Sequence, residues 1–353
     1  MSQPFRLNKE GLINRNKKIS FTFNGKKLFG YEGDTIASAL IANGIHLVGR
    51  SFKYHRPRGF FGAGVEEPNA KLQVEFNGHS EPNVNATEME LVEGLSATSQ
   101  NCWPSVNFDI GAINNFLKMF FPAGFYYKTF MWPKSFWYKI YEPFIRKAAG
   151  LGVASIEKDK ERYEHKFEYC DLLVTGSGPS GLASAYAAAK NGAKVILAED
   201  KPRFGGTLLT DDVSIDNLSG KDWAEKIITE LKSMPNVTVK NRSQVFGYYD
   251  HNMLVMFERV SDHLEKKSKF TPRQRLWYIR AKETILSTGS IERPIVFGNN
   301  DTPGIFLSAA AKEYMKVYGV LVGKKPLIFT NNDSAYETAL EFKKNNVEPI
   351  ILD

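Results

Sequence analysis

The first part of the chain shows a strand pattern followed by a helix pattern. Apolar and polar residues alternate over positions 19–23, and Asn24-Gly25 follows as a two-residue hairpin signal. The spacing of apolar residues then becomes helical over positions 35–43, with Asp34 placed to cap the helix. A hairpin followed by a helix predicts a β-grasp domain.

A second pattern begins at Asp171, where an apolar strand leads through a glycine turn into an Ala-rich helix and a second strand. Later segments keep the alternation of strands and helices, which predicts an α/β fold with a doubly wound sheet of the glutathione-reductase type. The chain stops at the second strand of a further βαβ unit, so we expect a fragment truncated inside that unit.

Composition shifts suggest boundaries between these regions. Residues 101–168 are rich in aromatic residues, with prolines that interrupt any long helix, and their last part is charged like a solvated linker. We predict five regions: an N-terminal tail (1–16), a β-grasp domain (17–100), an aromatic connecting segment (101–168), an FAD/NAD(P)-binding Rossmann-like domain (169–322) and the start of a second βαβ unit (323–353).

The glycine turn after the first strand of the second pattern has the spacing of a dinucleotide-binding motif. Gly176 permits the tight turn, Gly178 lets the backbone approach a pyrophosphate, and Gly181 lets the helix pack closely on the strand. Glu199 ends the next strand, where a carboxylate accepts hydrogen bonds from a ribose diol and repels a 2′-phosphate. The sequence therefore predicts a site for NAD or FAD in preference to NADP. The corresponding turn of the last unit carries Asn and Asp in place of glycines and predicts no second site.

Composition excludes several other kinds of chemistry. The 353 residues contain two cysteines, Cys102 and Cys170, so neither a redox cysteine pair nor a four-cysteine cluster can form. The six histidines lack metal-ligand spacing. The formal charge of +7 is spread along the chain, and no apolar run is long enough to span a membrane. We expect a cytoplasmic protein with no metal, no nucleic-acid partner and no membrane contact.

Several longer strings resemble one family. The segments "GRSFKYHRPRGFFGAGVEEPNA", "PAGFYYKTFMWP", "GSGPSGLASA" and "FTNNDSAYETAL" resemble, in order, the α subunit of heterotetrameric sarcosine oxidase. The resemblance covers nearly the whole chain and suggests its N-terminal portion. It also implies a ferredoxin-like first domain that has lost its 2Fe-2S cluster, in keeping with the missing cysteines.

The family resemblance implies the function of the whole heterotetrameric complex, and not an activity of this chain alone. The complex oxidises sarcosine to glycine, with O₂ and tetrahydrofolate as acceptors, in the class of oxidoreductases acting on CH-NH donors. NAD is implied in this chain, FAD and FMN in or at a partner subunit, and tetrahydrofolate at a C-terminal domain that this chain lacks. The implied partners are β, γ and δ subunits. The chain alone is expected to be inactive, and we assign it no catalytic residue.

The same resemblance implies a set of nucleotide contacts around the glycine turn, the following strand end and two later loops. These residues are Gly176, Ser177, Gly178, Pro179, Ser180, Gly181, Glu199, Asp200, Lys201, Gly206, Thr207, Val245, Thr288 and Gly289. Two other interpretations stay open: a stand-alone FAD-dependent NAD(P)H oxidoreductase, and a subunit of a related complex that oxidises opines, proline or glycine. An assembly scaffold with a structural nucleotide is a third.

Overall fold

The computed structural model describes residues 2–76, 78–124, 128, 130–148, 150 and 152–353. Six residues of the predicted aromatic segment (125–127, 129, 149 and 151), and Asn77 of a predicted strand-ending turn, lie outside this set. The chain divides into two compact units, one of residues up to 159 together with 293–353, and one of residues 160–292. Residues 293–322, which the sequence pattern placed with the nucleotide domain, therefore lie in the first unit.

The described elements are as follows. The strands are β1 (Asn14–Phe23), β2 (Lys26–Glu32), β3 (Gly49–Arg50), β4 (Pro57–Arg58), β5 (Lys71–Phe76), β6 (His79–Asn85), β7 (Ser96–Ser99), β8 (Tyr163–Thr175), β9 (Val195–Ala198), β10 (Ser214–Ile215), β11 (Leu218–Ser219), β12 (Val237–Lys240), β13 (Ser243–Tyr249), β14 (Met253–Arg259), β15 (Gln274–Leu286), β16 (Leu327–Phe329) and β17 (Ile350–Leu352). The α-helices are α1 (Ile36–Ala42), α2 (Glu142–Ala148), α3 (Pro179–Lys190), α4 (Gly220–Ser233), α5 (Ser308–Lys316) and α6 (Ser334–Lys344).

The first unit contains the predicted hairpin and helix. Its main sheet has the order β2-β1-β7-β5-β6, in which β1 and β7 are parallel and the other neighbours are antiparallel. Helix α1 is buried along its whole length. Thr35, and not the predicted Asp34, caps this helix: its side chain accepts a hydrogen bond from the Ser38 amide at 3.2 Å. The Asp34 carboxylate instead binds the Arg6 guanidinium at 2.7 Å.

The last βαβ unit has the predicted order of elements and packs within the first unit. Strands β16 and β17 are parallel, and α6 connects them. A small core of α5, β16 and α6 side chains, including Met315, Ile328 and Phe342, holds the unit together. The strand–helix–strand prediction for this segment is confirmed.

The second unit is built on a six-stranded sheet of order β12-β9-β8-β15-β14-β13. The first four strands are parallel, and β14 and β13 continue the sheet antiparallel. Helices α3 and α4 bury Leu182, Trp223 and Leu231 against one face, while Leu173, Ile196 and Ile279 form a second core. The carboxyl ends of β8 and β9 therefore meet beside the start of α3, which is where an open α/β sheet binds nucleotides.

Strand β8 begins earlier than the sequence predicted. Residues 163–169, expected to be the end of a solvated linker, pair in parallel with the first half of β15. Charged side chains on this part of the strand find partners, as in the Glu164–Arg275 ion pair at 3.0 Å and the Glu168–Lys194 pair at 2.7 Å. The linker interpretation was wrong here because the charged side chains that suggested a solvated segment form ion pairs with neighbouring parts of the same unit.

Candidate functional site

The turn between β8 and α3 is shaped by two glycines that admit no side chain. Gly176 has φ +96°, and a Cβ on it would lie 2.2 Å from the carbonyl oxygen of Ser287. A Cβ on Gly181 would lie 2.0 Å from the carbonyl oxygen of Gly176. These contacts join the start of α3 to the end of β15, so the predicted roles of both glycines in tight turning and close packing are confirmed.

Gly178 differs from its two neighbours because nothing crowds it. It is the N-cap of α3 with φ −66° and ψ −176°, and a Cβ on it would meet no atom within 4 Å. Pro179 opens the helix, and no side chain caps its first amides. A pyrophosphate placed above Gly178 would meet these N–H groups and the positive end of the helix dipole.

A second loop closes over the same turn. Gly205 and Gly206 both have positive φ, and a Cβ on Gly206 would lie 3.0 Å from the Cα of Gly178. Thr207 follows in an exposed 3₁₀ turn. The glycine pair thus lets two backbones approach each other at the place where the middle of a dinucleotide is expected.

Glu199 lies just past β9 and its carboxylate is buried, with 6% of the residue exposed. One carboxylate oxygen accepts hydrogen bonds from the Ser177 amide at 2.9 Å and the Ser177 hydroxyl at 2.5 Å. The other accepts from the Lys201 amide at 3.1 Å. Burial, followed by hydrogen bonding to the Asp200 carboxyl and its charge, raises the pKa of Glu199 to about 7.

Ser177 has a role that the motif did not reveal. Its fully buried hydroxyl donates to Glu199 and accepts from the Gly205 amide at 3.1 Å. The side chain therefore ties together the glycine turn, the end of β9 and the second glycine loop. Its small, polar character between two motif glycines is the sequence signal, but the partners come from elements far apart in the chain.

The other predicted contacts are distributed around this centre. The amide of Thr288 lies 3.4 Å from the Cβ position of Gly176, and Gly289 follows with φ +71°. Ser180 is exposed on the first turn of α3. Val245 lies in β13, opposite Met256, and packs on the second core. The Glu199 carbonyl accepts from the Ser243 amide at 2.8 Å, which links the start of β13 to the site.

The Asp200–Lys201 backbone is held in place by two arginines. Arg259 donates to the carbonyl of Asp200 at 2.7 Å, and the Arg242 amide donates to the carbonyl of Lys201 at 3.1 Å. These two hydrogen bonds fix the backbone of the segment that would face a ribose.

The loop of the first unit that contains Arg56 and Arg58 forms contacts within that unit. Arg56 and Arg58 both bind the Asp301 carboxylate, and the Arg56 contact, at 2.8 Å, lowers the pKa of Asp301 below its usual range. His55 is buried, with Nδ1 2.7 Å from a carboxylate oxygen of Asp109. This contact anchors the loop to Asp109.

The described residues contain no group of three or more His, Cys, Asp or Glu placed to hold a metal ion. Cys170 is buried in the core, and burial raises the pKa of its thiol to about 11, so it is an unreactive core residue. Within the described part of the chain, no helix combines the length and apolar character needed to cross a membrane.

Two protein families match parts of the chain. Residues 16–102 match a family described as "2Fe-2S iron-sulfur cluster binding domain", and residues 171–254 match "FAD dependent oxidoreductase". The second match includes the glycine turn between β8 and α3 and the Glu199 carboxylate. The geometry of these residues fits a dinucleotide. The first does not fit its cofactor, because residues 16–102 contain one cysteine, Cys102, where a cluster needs four ligands.

Whole-chain comparisons identify relatives of greater length. The chain is 51% identical over 348 residues to sarcosine oxidase subunit alpha of Rhizobium meliloti (strain 1021), covering 99% of this chain and 35% of that protein. It is 33% identical to sarcosine oxidase subunit alpha of Corynebacterium sp. (strain U-96), covering all of this chain and 32% of that protein. The chain thus spans about a third of the length of these relatives. The crystal structure of L-proline dehydrogenase from P. horikoshii shares its fold, with a TM-score of 0.65, 21% identity, and coverage of 99% of this chain and 55% of that one.

Proposed function

The chain is a relative of the sarcosine oxidase alpha subunits over nearly its whole length, and on that premise we propose that it holds NAD⁺ within an amine-oxidising complex. The observation that carries this proposal is the open space above Gly178 at the start of α3, next to the buried Glu199 carboxylate. This arrangement suits an adenine dinucleotide with an unphosphorylated ribose. The chain contributes no catalytic residue to the proposal, so the nucleotide is held while the amine is oxidised elsewhere.

The proposed overall reaction is the oxidative demethylation of sarcosine to glycine. The substrate's methyl C–N bond would lose two electrons in this reaction, and a flavin held by a partner subunit would supply the redox chemistry that delivers them to O₂, which is reduced to peroxide. The methyl carbon, at the oxidation level of formaldehyde, passes to tetrahydrofolate. Flavins in the partner subunits and a folate domain outside this chain supply those steps. Opines, proline or glycine remain alternative substrates because the substrate site is not placed on this chain.

FAD is a second candidate for the nucleotide bound at the glycine turn between β8 and α3. The match of residues 171–254 to an FAD-dependent family favours it. In that case the chain would be an FAD-dependent oxidoreductase by itself. The two candidates differ in a property that can be measured on the purified protein, because flavins are coloured and NAD⁺ is not.

We expect the purified chain to release NAD⁺, in about one-to-one ratio, when it is denatured and the supernatant is analysed by mass spectrometry. Protein freed of nucleotide should then melt at a higher temperature with added NAD⁺ than with NADP⁺ or FAD, since only a ligand of the folded state stabilises it. A yellow preparation that releases FAD contradicts the proposal. So does oxidation of sarcosine by this chain without partners.

The aromatic segment of the first unit offers a surface for a partner subunit. Large apolar side chains there face solvent: Trp103 (68% exposed), Phe116 (85%), Met119 (81%), Trp132 (83%), Tyr138 (82%) and Phe144 (73%). Large exposed apolar patches on soluble proteins mark sites of interaction. Basic residues outnumber acidic ones six to two over residues 103–148. We therefore propose that another subunit of the complex, with an apolar patch rimmed by acidic residues, covers this segment.

The double substitution of Phe116 and Trp132 by Ser should reduce co-purification of this subunit with its co-expressed partners at least about tenfold. Both side chains are exposed, so the variant should melt like the wild type. Ile156→Ser is a matched control, because Ile156 is fully exposed but lies outside residues 103–148, which carry the substituted side chains. A complex that survives the double substitution contradicts this interface. If the double variant stays in the complex but no longer binds anionic lipid vesicles, the segment faces a membrane instead of a subunit.

A further inference from the structure

Ser177 lies between two parts of the candidate nucleotide site that come from separate segments of the chain. One part is the Glu199 carboxylate at the end of β9, where a ribose is expected. The other is the loop of Gly205 and Gly206, which comes so close to the start of α3 that a Cβ on Gly206 would lie 3.0 Å from the Gly178 Cα. Ser177 contacts both parts and is therefore placed to make them respond together.

The hydrogen bonds of the Ser177 hydroxyl have one direction when Glu199 is ionised. The Gly205 amide can only donate, and it lies 3.1 Å from the Ser177 oxygen. The carboxylate can only accept, so the single hydroxyl proton points to Glu199 Oε2, 2.5 Å away. These two bonds form a relay that runs from the Gly205 amide through the Ser177 hydroxyl to the Glu199 carboxylate.

All three members of this relay are buried. Ser177 is 0% exposed and Glu199 is 6% exposed, and Gly205 is buried although Gly206 beside it is exposed. Loss of the hydroxyl would leave the buried Gly205 amide without this acceptor. A hydrogen bond to an ionised group is stronger than one to a neutral group, and in buried surroundings it polarises the next bond of a series. The charge of Glu199 therefore strengthens the hydrogen bond between Ser177 and the glycine loop.

We infer, on the basis of the proposed NAD⁺ site, that Ser177 is a positioning residue that couples recognition of the ribose to the placement of the glycine loop over the pyrophosphate. Its side chain has no exposed surface with which to contact a nucleotide, so it acts through Glu199 and Gly205. A ribose diol that donates to Glu199 favours the ionised carboxylate. The relay passes this preference to the loop that covers the middle of the dinucleotide.

Amide hydrogen exchange tests the relay without any nucleotide. At pH 8 the Glu199 carboxyl, with a pKa of about 7, is mostly ionised. Ser177→Ala should speed exchange at the Gly205 amide at least about tenfold, because the amide loses its acceptor. Glu199→Gln keeps the hydroxyl but removes the charge, and should speed exchange at the same amide about threefold. Unchanged exchange at Gly205 in the Glu199→Gln protein overturns the relay, and this comparison does not require Ser177→Ala to fold.

NAD⁺ titration at the same pH tests whether Ser177 and Glu199 act as a unit. Each of the variants Ser177→Ala and Glu199→Gln should weaken the Kd. The double variant should bind at least about threefold more tightly than the product of the two single losses predicts, because both substitutions damage one relay. Single losses that multiply in the double variant would mean that the two residues act independently.

The pH dependence of NAD⁺ binding separates a positioning role from a purely structural one. Burial, followed by Asp200, raises the pKa of Glu199, whereas the hydrogen bond from Ser177 lowers it. In Ser177→Ala the rise of NAD⁺ affinity with pH should therefore move to higher pH. An unshifted profile contradicts the positioning role. The other charged residues of the surrounding segments are the same in both proteins: Lys201, Arg203, Lys240, Arg242 and Arg259.

Ser261→Ala is the matched control for the loss of a buried hydroxyl. Ser261 is 2% exposed, lies in the same unit, and donates to the Pro272 carbonyl at 3.0 Å. This variant should lose some stability but bind NAD⁺ with the wild-type affinity and pH profile. A wild-type protein that binds no NAD⁺ would contradict the proposed function, and the exchange rates of the Gly205 amide would still decide whether the relay exists.

Discussion

Replacing Gly178 by alanine should weaken dinucleotide binding roughly 100-fold while leaving the unliganded protein as stable as the wild type. No atom lies within 4 Å of the added Cβ, and the backbone angles of Gly178 are ones that alanine adopts readily. The small loss from alanine at a helix N-cap is offset by the lower entropy of the unfolded chain. The methyl group instead fills the space through which a pyrophosphate must approach. We expect a roughly 100-fold weaker Kd, equivalent to about 2.7 kcal/mol.

Gly181→Ala provides the opposite case within the same motif. Alanine is the better helix former, by about 1 kcal/mol, so helix propensity alone predicts stabilisation. The Cβ, however, would lie 2.0 Å from the carbonyl oxygen of Gly176, which is backbone and cannot turn away. We expect a loss of more than about 3 kcal/mol in the free energy of unfolding.

Urea unfolding and NAD⁺ titration of both variants separate the two effects. The expected pattern is binding weakened with stability kept for Gly178→Ala, and stability lost for Gly181→Ala. Undiminished NAD⁺ binding by the Gly178→Ala protein would mean that the nucleotide lies elsewhere. A stable Gly181→Ala protein would show that α3 can move away from the turn.

The contrast between these glycines also shows which structural features a sequence motif predicts and which it does not. The motif predicts the turn, the helix and the strand, because each needs only local chemistry. It does not reveal that Ser177 binds Glu199, 22 residues later in the chain and on a different element. Such a contact depends on β8 and β9 being neighbours in one register, which the sequence implies only through the fold.

Charged segments were the hardest to interpret from the sequence because their partners also lie on elements that are distant along the chain. Residues 163–169 have the composition of a linker, yet they form half of a long strand because β15 offers them a partner. Arg56 likewise binds Asp301, which is 245 residues away along the chain. Hydrophobic periodicity shows which face of a helix or strand is buried. Ion pairs between distant segments produce no periodic pattern in the sequence.

Glu199→Gln should remove a pH dependence that the buried carboxyl gives to the second unit. Its folded pKa of about 7 lies above the usual 4.5, so the folded state binds the proton more tightly than the unfolded state. Stability from this group is therefore full below pH 4.5 and is lost as the pH rises to about 7. The wild-type free energy of unfolding, minus that of the variant, should fall by about 3 kcal/mol over this interval.

Binding of NAD⁺ should change in the opposite direction with pH. A ribose diol donates its hydrogen bonds to the ionised form of Glu199, so the ligand selects the state that rising pH produces. With a pKa of about 7, the ionised fraction rises about tenfold between pH 6 and pH 8, and the wild-type Kd should fall by about that factor. The Kd of Glu199→Gln should be weaker and the same at both pH values. Equal affinity of the wild type at pH 6 and pH 8 would show that this carboxylate does not receive the ribose.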